Sequence, residues 1–202
     1  MEEQHAIALL KAQDLTGLEA LVDRYYLQAV RAADLIVRDT AQAEDIVQAA
    51  FLHASEKIDQ LASDRFGPWF MKMVVNAALK SAQKQQRLVP LTAEDDPESQ
   101  PLADWLIDRR PAVEELVETA ELRQSIWQAL ARLTPRQRAA VVLKYYLDMS
   151  EVEVSQALQA PCPTIKWWLY TAREKLRHWL RLTDAPHAPF EPESVSDHQE
   201  KE

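Results

Sequence analysis

A basic and aromatic segment near the C-terminal end of the chain carries the residues whose spacing points most directly to chemistry. Lys166, Tyr170, Arg173 and Arg177 recur at steps of three or four residues, which places them on one face of a helix. A row of ammonium and guanidinium groups neutralises phosphates. The chemistry predicted for this face is therefore the binding of a polyanion such as DNA.

Two adjacent tryptophans interrupt this basic helix and face different ways. The apolar stripe of this helix is formed by Ile165, Leu169, Ala172, Leu176 and Trp179. Trp168 borders that stripe, so we expect Trp168 to pack in the core. Trp167 points away from the stripe, and an exposed tryptophan indicates a contact surface. That contact is either with DNA or with a second protein, and the sequence leaves the two open.

A second basic segment, residues 65–87, contains five basic residues and no acidic one. Within it, aromatic rings and positive charges are combined at helical spacing: Trp69, Phe70, Lys72, Asn76 and Lys80. Proteins that hold single-stranded nucleic acid stack bases on such rings and track the backbone with such charges. The segment predicts single-strand binding, with Phe70 assigned to the core.

The distribution of charge supports two contacts with one polyanion. The chain has a net charge of -9, yet both segments described above are basic. Residues 92–121, which lie between them, carry ten acidic residues against only Arg109 and Arg110. Two basic segments can contact the same polyanion, while the acidic segment between them is repelled from it.

The composition argues against catalysis. The two glycines are too few for a glycine-rich nucleotide loop. Glu44 and His53 lie nine residues apart, on different faces of one helix, and no third ligand accompanies them. The single cysteine, Cys162, excludes an internal disulfide and is best read as a turn residue. We expect no enzymatic activity, no metal site and no cofactor.

Capping patterns predict an all-α fold. Residues 16–19, 134–137 and 150–153 each match the capping box, in which a hydroxyl and a carboxylate or amide satisfy backbone N–H groups at a helix start. The predicted helices span residues 17–37, 41–59, 66–86, 113–131, 135–147, 151–159 and 163–181. The last two, separated by a short break that contains Pro161, form a helix-turn-helix.

The proline- and acid-rich residues 89–111 predict a flexible acidic linker. It separates two small helical domains, residues 1–88 and 112–182, and residues 183–202 predict a disordered acidic tail. The first residues do not resemble a signal peptide, and no apolar run approaches the ~20 residues of a membrane span. We therefore expect a cytoplasmic protein with no membrane contact and no small-molecule substrate.

The order of these segments resembles the extracytoplasmic-function sigma factors, the compact two-domain initiation subunits of bacterial RNA polymerase. Residues 133–180 are similar to the C-terminal domain of that family, with matches at Pro161, Thr164, Ile165, Lys166, Leu169, Ala172, Arg173 and Leu176. Residues 66–80 resemble the segment that opens and holds the -10 element, with matches at Phe66, Trp69, Lys72 and Asn76. Residues 43–58 resemble the polymerase-binding helix, with matches at Glu44, Asp45, Gln48 and Phe51.

The resemblance implies that the N-terminal domain binds core polymerase and the -10 element and that the C-terminal domain reads the -35 element. Core RNA polymerase and promoter DNA are the implied partners, and an anti-sigma protein is left open. The chain departs from the family at Gln159, where glycine is usual, so that Gln159 must adopt a left-handed conformation or the turn must shift. It departs again at Trp167 and Trp168, where small and basic residues are expected.

Two other interpretations of the sequence remain. A helix-turn-helix regulator would bind duplex DNA alone as a dimer, and an interaction adaptor would direct its basic faces at acidic proteins. DNA binding measured with and without core polymerase separates the three.

Overall fold

The computed structural model describes residues 2–62, 65–88 and 124–180, and every regular element in these ranges is helical. The predicted all-α fold is confirmed. The elements are α1 (Glu3–Lys11), α2 (Leu15–Val37), α3 (Thr40–Glu56), a 3-10 turn (Ile58–Gln60), α4 (Phe66–Leu88), α5 (124–131), α6 (Pro135–Val141), a π-helical turn (Val142–Tyr146), α7 (Glu151–Leu158) and α8 (Cys162–Leu180). The predicted linker and tail, and the first part of the predicted helix 113–131, lie outside the described residues. None of the helices described is both long and apolar enough to cross a membrane.

Helix α1 was not predicted from the sequence, and it packs closely on α2. A Cβ atom at Gly17 would lie 2.3 Å from the carbonyl oxygen of Ala6, so glycine is the residue that permits this approach. Ala6, Ile7 and Leu10 are buried at the contact. The first helix of the chain is therefore held by its tertiary contacts more than by its own sequence.

Three phenylalanine rings join α3 to α4 in the core of the N-terminal half. The Phe51 and Phe70 ring centroids lie 4.2 Å apart, and those of Phe66 and Phe70 lie 5.2 Å apart. All three side chains are buried. These contacts fix the rotation of α4 about its axis, and with it the direction of the residues on its other face.

Two of the three predicted capping boxes are confirmed. Thr134 with Gln137 starts α6, and Ser150 with Glu153 starts α7, each with both reciprocal hydrogen bonds. Hydrogen bonds from the backbone and side chain of Ser150 lower the pKa of the Glu153 carboxyl. The box predicted at Thr16 is wrong, because the Asp14 side chain accepts the hydrogen bond from the Thr16 backbone N–H and the helix starts at Leu15.

The turn between α7 and α8 adopts the first of the two arrangements expected from the sequence, a left-handed residue at Gln159. Gln159 has a φ of 50° and a ψ of 45°, the left-handed conformation that glycine adopts at lower cost. The Ser155 hydroxyl donates a hydrogen bond to the Ala160 carbonyl at 2.6 Å, which supports the turn. α8 then buries Ile165, Leu169 and Ala172 as predicted. The rest of the predicted stripe is not in the core: Leu176 is half-buried, and Trp179 is 45% exposed near the end of the helix, with the Arg132 guanidinium over its ring.

The two halves of the chain pack against each other in this structure. α6 contacts both α2 and α4, and α7 contacts α4, so that the buried side chains form one continuous cluster. Arg138 of α6 is buried at this boundary, and its Nε atom has no hydrogen-bond partner among the described residues. Burial, followed by the charge of Arg38, lowers the pKa of Arg138 to about 10.

Candidate nucleic-acid interface

The predicted basic face of α8 is exposed in part. Lys166 and Arg173 are exposed, and Tyr170 and Thr164 are half-buried beside them. Arg177 lies further along the helix and forms an ion pair with Glu174 at 2.7 Å. The charge of Arg177 is therefore partly neutralised within the helix, whereas Lys166 and Arg173 project from the surface.

A shallow cavity of about 300 Å³ brings this face together with the π-helical turn. Lys166, Tyr170 and Arg173 of α8 line it together with Lys144 and Tyr145, and Glu151 is the one acidic residue among the described residues that line it. Lys144 and Tyr145 were not among the binding residues predicted from the sequence. Both residues directly follow the apolar run 141–143, and polar side chains at such a position are expected to point away from the core. That position was the sequence signal from which their exposure could have been predicted.

The arrangement matches the way in which a helix-turn-helix meets duplex DNA. The recognition helix enters the major groove while the preceding helical segment crosses the phosphate backbone. Lys166 and Arg173 lie on α8, the second helix of the helix-turn-helix, and Lys144 of the π-helical turn lines the same cavity. Because each neutralised phosphate releases counterions, these three cations are suited to backbone contacts that weaken with salt.

The two tryptophans of α8 face different ways, as predicted. Trp167 is 52% exposed and forms a large apolar surface beside the basic face. Trp168 is half-buried and packs against the core, with the Arg136 guanidinium carbon 5.7 Å from its ring centroid. Trp167 is thus accessible to a binding partner, and Trp168 contributes to the packing of the two halves.

On α4 the predicted residues have different environments. Lys72 and Lys80 are exposed and Asn76 is half-buried. Trp69 is half-buried and meets Phe66 edge-on, with 5.7 Å between the ring centroids. Phe66 was predicted to touch DNA, but it is fully buried beneath Trp69, so it supports the face from below and cannot itself contact a base in this conformation.

The predicted polymerase-binding face of α3 is exposed in part. Asp45 and Gln48 are exposed one turn apart, and Glu44 is half-buried beside them. Phe51 was included in this set, but it is buried against Phe70, so it cannot meet a partner directly. Leu52, 63% exposed and one turn beyond Gln48, provides an apolar contact that the sequence analysis missed. Leu52 follows Gln48 by four residues and so lies on the same face of α3, and this spacing was the sequence signal that would have identified it.

No cluster of His, Cys, Asp or Glu in the described part of the chain is arranged to hold a metal ion. The groups whose pKa values are displaced are dispersed over the fold. Asp34, for example, is fully buried on α2, and Tyr25 is hydrogen-bonded to Glu3.

Comparisons with known proteins match the two ends of this chain separately. Residues 21–88 match the family model for sigma-70 region 2, and residues 123–176 match the model for sigma-70 region 4. The ECF RNA polymerase sigma factor SigW of Bacillus subtilis is 28% identical over 177 residues, which cover 87% of this chain and 95% of SigW. The ECF RNA polymerase sigma-E factor of Escherichia coli K12 is 24% identical over 180 residues, 87% of this chain and 93% of that protein.

Solved structures show the same fold. The structure of CnrH in complex with the cytosolic domain of CnrY has a TM-score of 0.59 at 20% identity and covers 89% of this chain and 97% of that one. The sigma factor RpoE in complex with the anti-sigma factor NepR, from Bartonella quintana, has a TM-score of 0.57 at 18% identity, with 82% and 99% covered.

Proposed function

This chain belongs to the extracytoplasmic-function sigma factors of bacterial RNA polymerase, and from this premise we propose how its surfaces divide the work of promoter recognition. It directs transcription initiation. In our proposal the exposed face of α3, the Trp69 face of α4 and the basic face of α8 bind core polymerase, the -10 element and the -35 element in turn. The protein acts in the cytoplasm as a binding subunit without enzymatic activity of its own.

One observation carries the assignment. The region 2 and region 4 matches lie in order along the chain, and each includes a helix with basic and aromatic residues on an accessible face. In α4 that face combines Trp69 with Lys72 and Lys80, the combination that single-strand binding uses. In α8 it follows a capped helix-turn-helix, the arrangement that duplex recognition uses.

The domain bounds stay a proposal. We place the region 2 domain at residues 1–88, the linker at 89–111, the region 4 domain at 112–182 and the tail at 183–202. The family matches at residues 21–88 and 123–176 fall inside the two proposed domains and support this division.

An anti-sigma protein belongs to the same proposal. Both similar solved structures are complexes, one with the cytosolic domain of CnrY and one with the anti-sigma factor NepR. We propose that a protein of this class holds the present chain away from core polymerase. A purified candidate should compete with core polymerase for the chain. A candidate that binds the chain while the chain stays bound to core polymerase would not be such an inhibitor.

The proposed function is tested by DNA retention with and without core polymerase. A sigma factor retains promoter fragments on the polymerase and binds the same duplexes weakly alone. A stand-alone regulator would bind them equally well without polymerase, and an adaptor would retain no DNA in either case. Either of these two results contradicts the proposal.

A further inference from the structure

The three tryptophans of α8 differ in what lies over their rings. The Arg132 guanidinium carbon lies 3.7 Å from the ring centroid of Trp179. The Arg136 guanidinium carbon lies 5.7 Å from that of Trp168. Trp167 is 52% exposed, and none of the described residues places a guanidinium or a second aromatic ring over it. Contacts within the described part of the chain therefore engage two of these rings and leave the Trp167 ring accessible.

Trp167 lies in the second turn of α8, which begins five residues before it. In helix-turn-helix complexes the N-terminal residues of the recognition helix are those that contact base edges. Tyr170 follows Trp167 by three residues, so the two side chains share one side of the helix. Lys166 and Arg173, on the neighbouring side, are exposed and are suited to phosphates, which fix the orientation of a helix without reading sequence.

The backbone of Trp167 is tied to α6. The Thr171 hydroxyl donates a hydrogen bond to the Trp167 carbonyl oxygen at 2.9 Å and accepts one from the Gln137 side-chain amide at 2.8 Å. Gln137 is buried, and it belongs to the capping box that starts α6. A side chain that distinguishes bases has to be held in place before it binds, and these hydrogen bonds hold the turn that carries Trp167.

The chemistry of an indole ring favours one group in the major groove. The C5-methyl group of thymine is apolar, whereas the other groups that base pairs present there are hydrogen-bond donors and acceptors. A ring that covers a donor or an acceptor displaces its water without replacing the hydrogen bond, which is unfavourable. The single N–H of the indole can satisfy one acceptor and no donor. Thymine is therefore the base whose edge this ring covers at the lowest cost.

We propose that Trp167 recognises a thymine of the -35 element through apolar contact with its C5-methyl group. This inference rests on the proposed function, because it takes α8 to be the helix that enters the major groove at that element. Lys166 and Arg173 give affinity for any sequence when they bind phosphates. Trp167 adds a preference among sequences, and so it helps to determine which promoters the chain accepts.

The loss of one methyl group gives the size of the expected effect. Uracil differs from thymine only in lacking the C5-methyl group, so it removes the apolar contact and keeps the base pair. Burial of one such group strengthens binding about fourfold, and uracil at the contacted position should weaken the binding of wild type by that factor. Variants without the indole ring should bind the thymine and uracil duplexes equally.

The test uses the full-length chain bound to core polymerase, with a promoter duplex found by polymerase-dependent retention. Each thymine of its -35 region, on either strand, is replaced in turn by uracil, and competition with the unmodified duplex measures the ratio of affinities. Trp167→Ala and Trp167→Gln both remove the ring, and urea unfolding checks that they are folded. Trp179→Ala is the matched control, because Trp179 is an exposed tryptophan near the other end of the same helix.

We expect uracil at the contacted position to weaken binding about fourfold in wild type and in Trp179→Ala and to have no effect in either Trp167 variant. An equal loss in wild type and the Trp167 variants would overturn the inference, as would the absence of a loss at every position in wild type. Weaker binding of core polymerase by both Trp167 variants, with uracil tolerated by wild type, would assign the ring to a protein contact instead. If wild type retains no duplex on core polymerase at all, the proposed function fails, and the inference fails with it.

Discussion

Glu3 accepts a hydrogen bond from the backbone N–H of Phe66 at 2.9 Å, across 63 residues of sequence. The Tyr25 hydroxyl donates to the same carboxylate at 2.5 Å, and the Arg24 Nε atom lies 3.7 Å from it. The first turn of α4 is thereby tied to α1 and α2. Since Trp69 lies in that turn, the N-terminal helix helps to position the face that we assign to the -10 strand.

Glu3→Ala should destabilise the N-terminal half. The substitution removes the acceptor for Phe66 and the partner of the Tyr25 hydroxyl, a loss of about 1–2 kcal/mol in the free energy of unfolding. Urea unfolding measures it. Glu2→Ala is the control, because Glu2 is exposed and its side chain does not cap α1. Equal stability of the two variants would show that the Glu3 contacts contribute nothing.

Asp34→Asn should stabilise the chain increasingly as pH rises. Asp34 is fully buried, and burial raises the pKa of its carboxyl to about 7, against the smaller opposing effect of a hydrogen bond from Thr40. The folded state therefore holds a proton that the unfolded state loses near pH 4, and stability falls as pH rises toward 7. The neutral amide avoids this loss.

The measurement is urea unfolding of wild type and Asp34→Asn at several pH values. The stability advantage of the variant should grow between about pH 4 and about pH 7 and then level off, at an order of magnitude of a few kcal/mol. Asp23→Asn serves as the control, because Asp23 is exposed on the same helix. An advantage that does not change with pH would contradict the raised pKa of Asp34.

Features that depend on short-range chemistry were predictable from the sequence. The capping boxes at Thr134 and Ser150 each join residues three positions apart, and the left-handed conformation of Gln159 was one of the two arrangements expected for its turn. Burial of the stripe Ile165, Leu169 and Ala172 follows from helical spacing alone. For the same reason the basic face of α8 could be placed before the fold was known.

Features that depend on packing between distant segments were not predictable. α1 is short, and it is fixed by Gly17 and by the contact between Glu3 and Phe66. Phe51 and Phe66 match family positions that are assigned to partner and DNA binding, yet both side chains are buried against neighbouring aromatic rings. A cavity between Asn76 and Trp168 brings together two segments that the sequence analysis placed in separate domains. The spacing of apolar and polar residues within either segment does not indicate a contact between the two segments.

Asp45→Lys combined with Gln48→Ala should weaken the binding of core polymerase. Both residues are exposed on α3, so the free energy of unfolding should stay within about 0.5 kcal/mol of wild type. We expect at least about tenfold weaker binding, since reversal of an interface charge also introduces repulsion. Binding is measured by competition with labelled wild type. Glu19→Lys, a charge reversal at an exposed position on α2, is the control, and equal binding by the two variants would remove α3 from the interface.

Lys144→Ala and Lys166→Ala should each make binding of the -35 element less sensitive to salt. The two side chains line one cavity beside α8, and each lost phosphate contact should reduce the salt slope by about one unit. The assay is retention of promoter duplex by the chain together with core polymerase. Lys175→Ala is the control, because Lys175 lies on another face of α8 and donates to Gln137. An unchanged salt slope for Lys144→Ala would exclude the π-helical turn from the contact.

Run-off transcription tests the central claim most directly. Core polymerase is incubated with genomic DNA fragments, with and without the purified chain, and the transcripts are sequenced. The account predicts discrete transcripts that appear only when both proteins are present and that start at fixed distances from shared upstream sequences. Transcripts no different from those of core polymerase alone, with a chain shown to be folded, would contradict the assignment as a sigma factor.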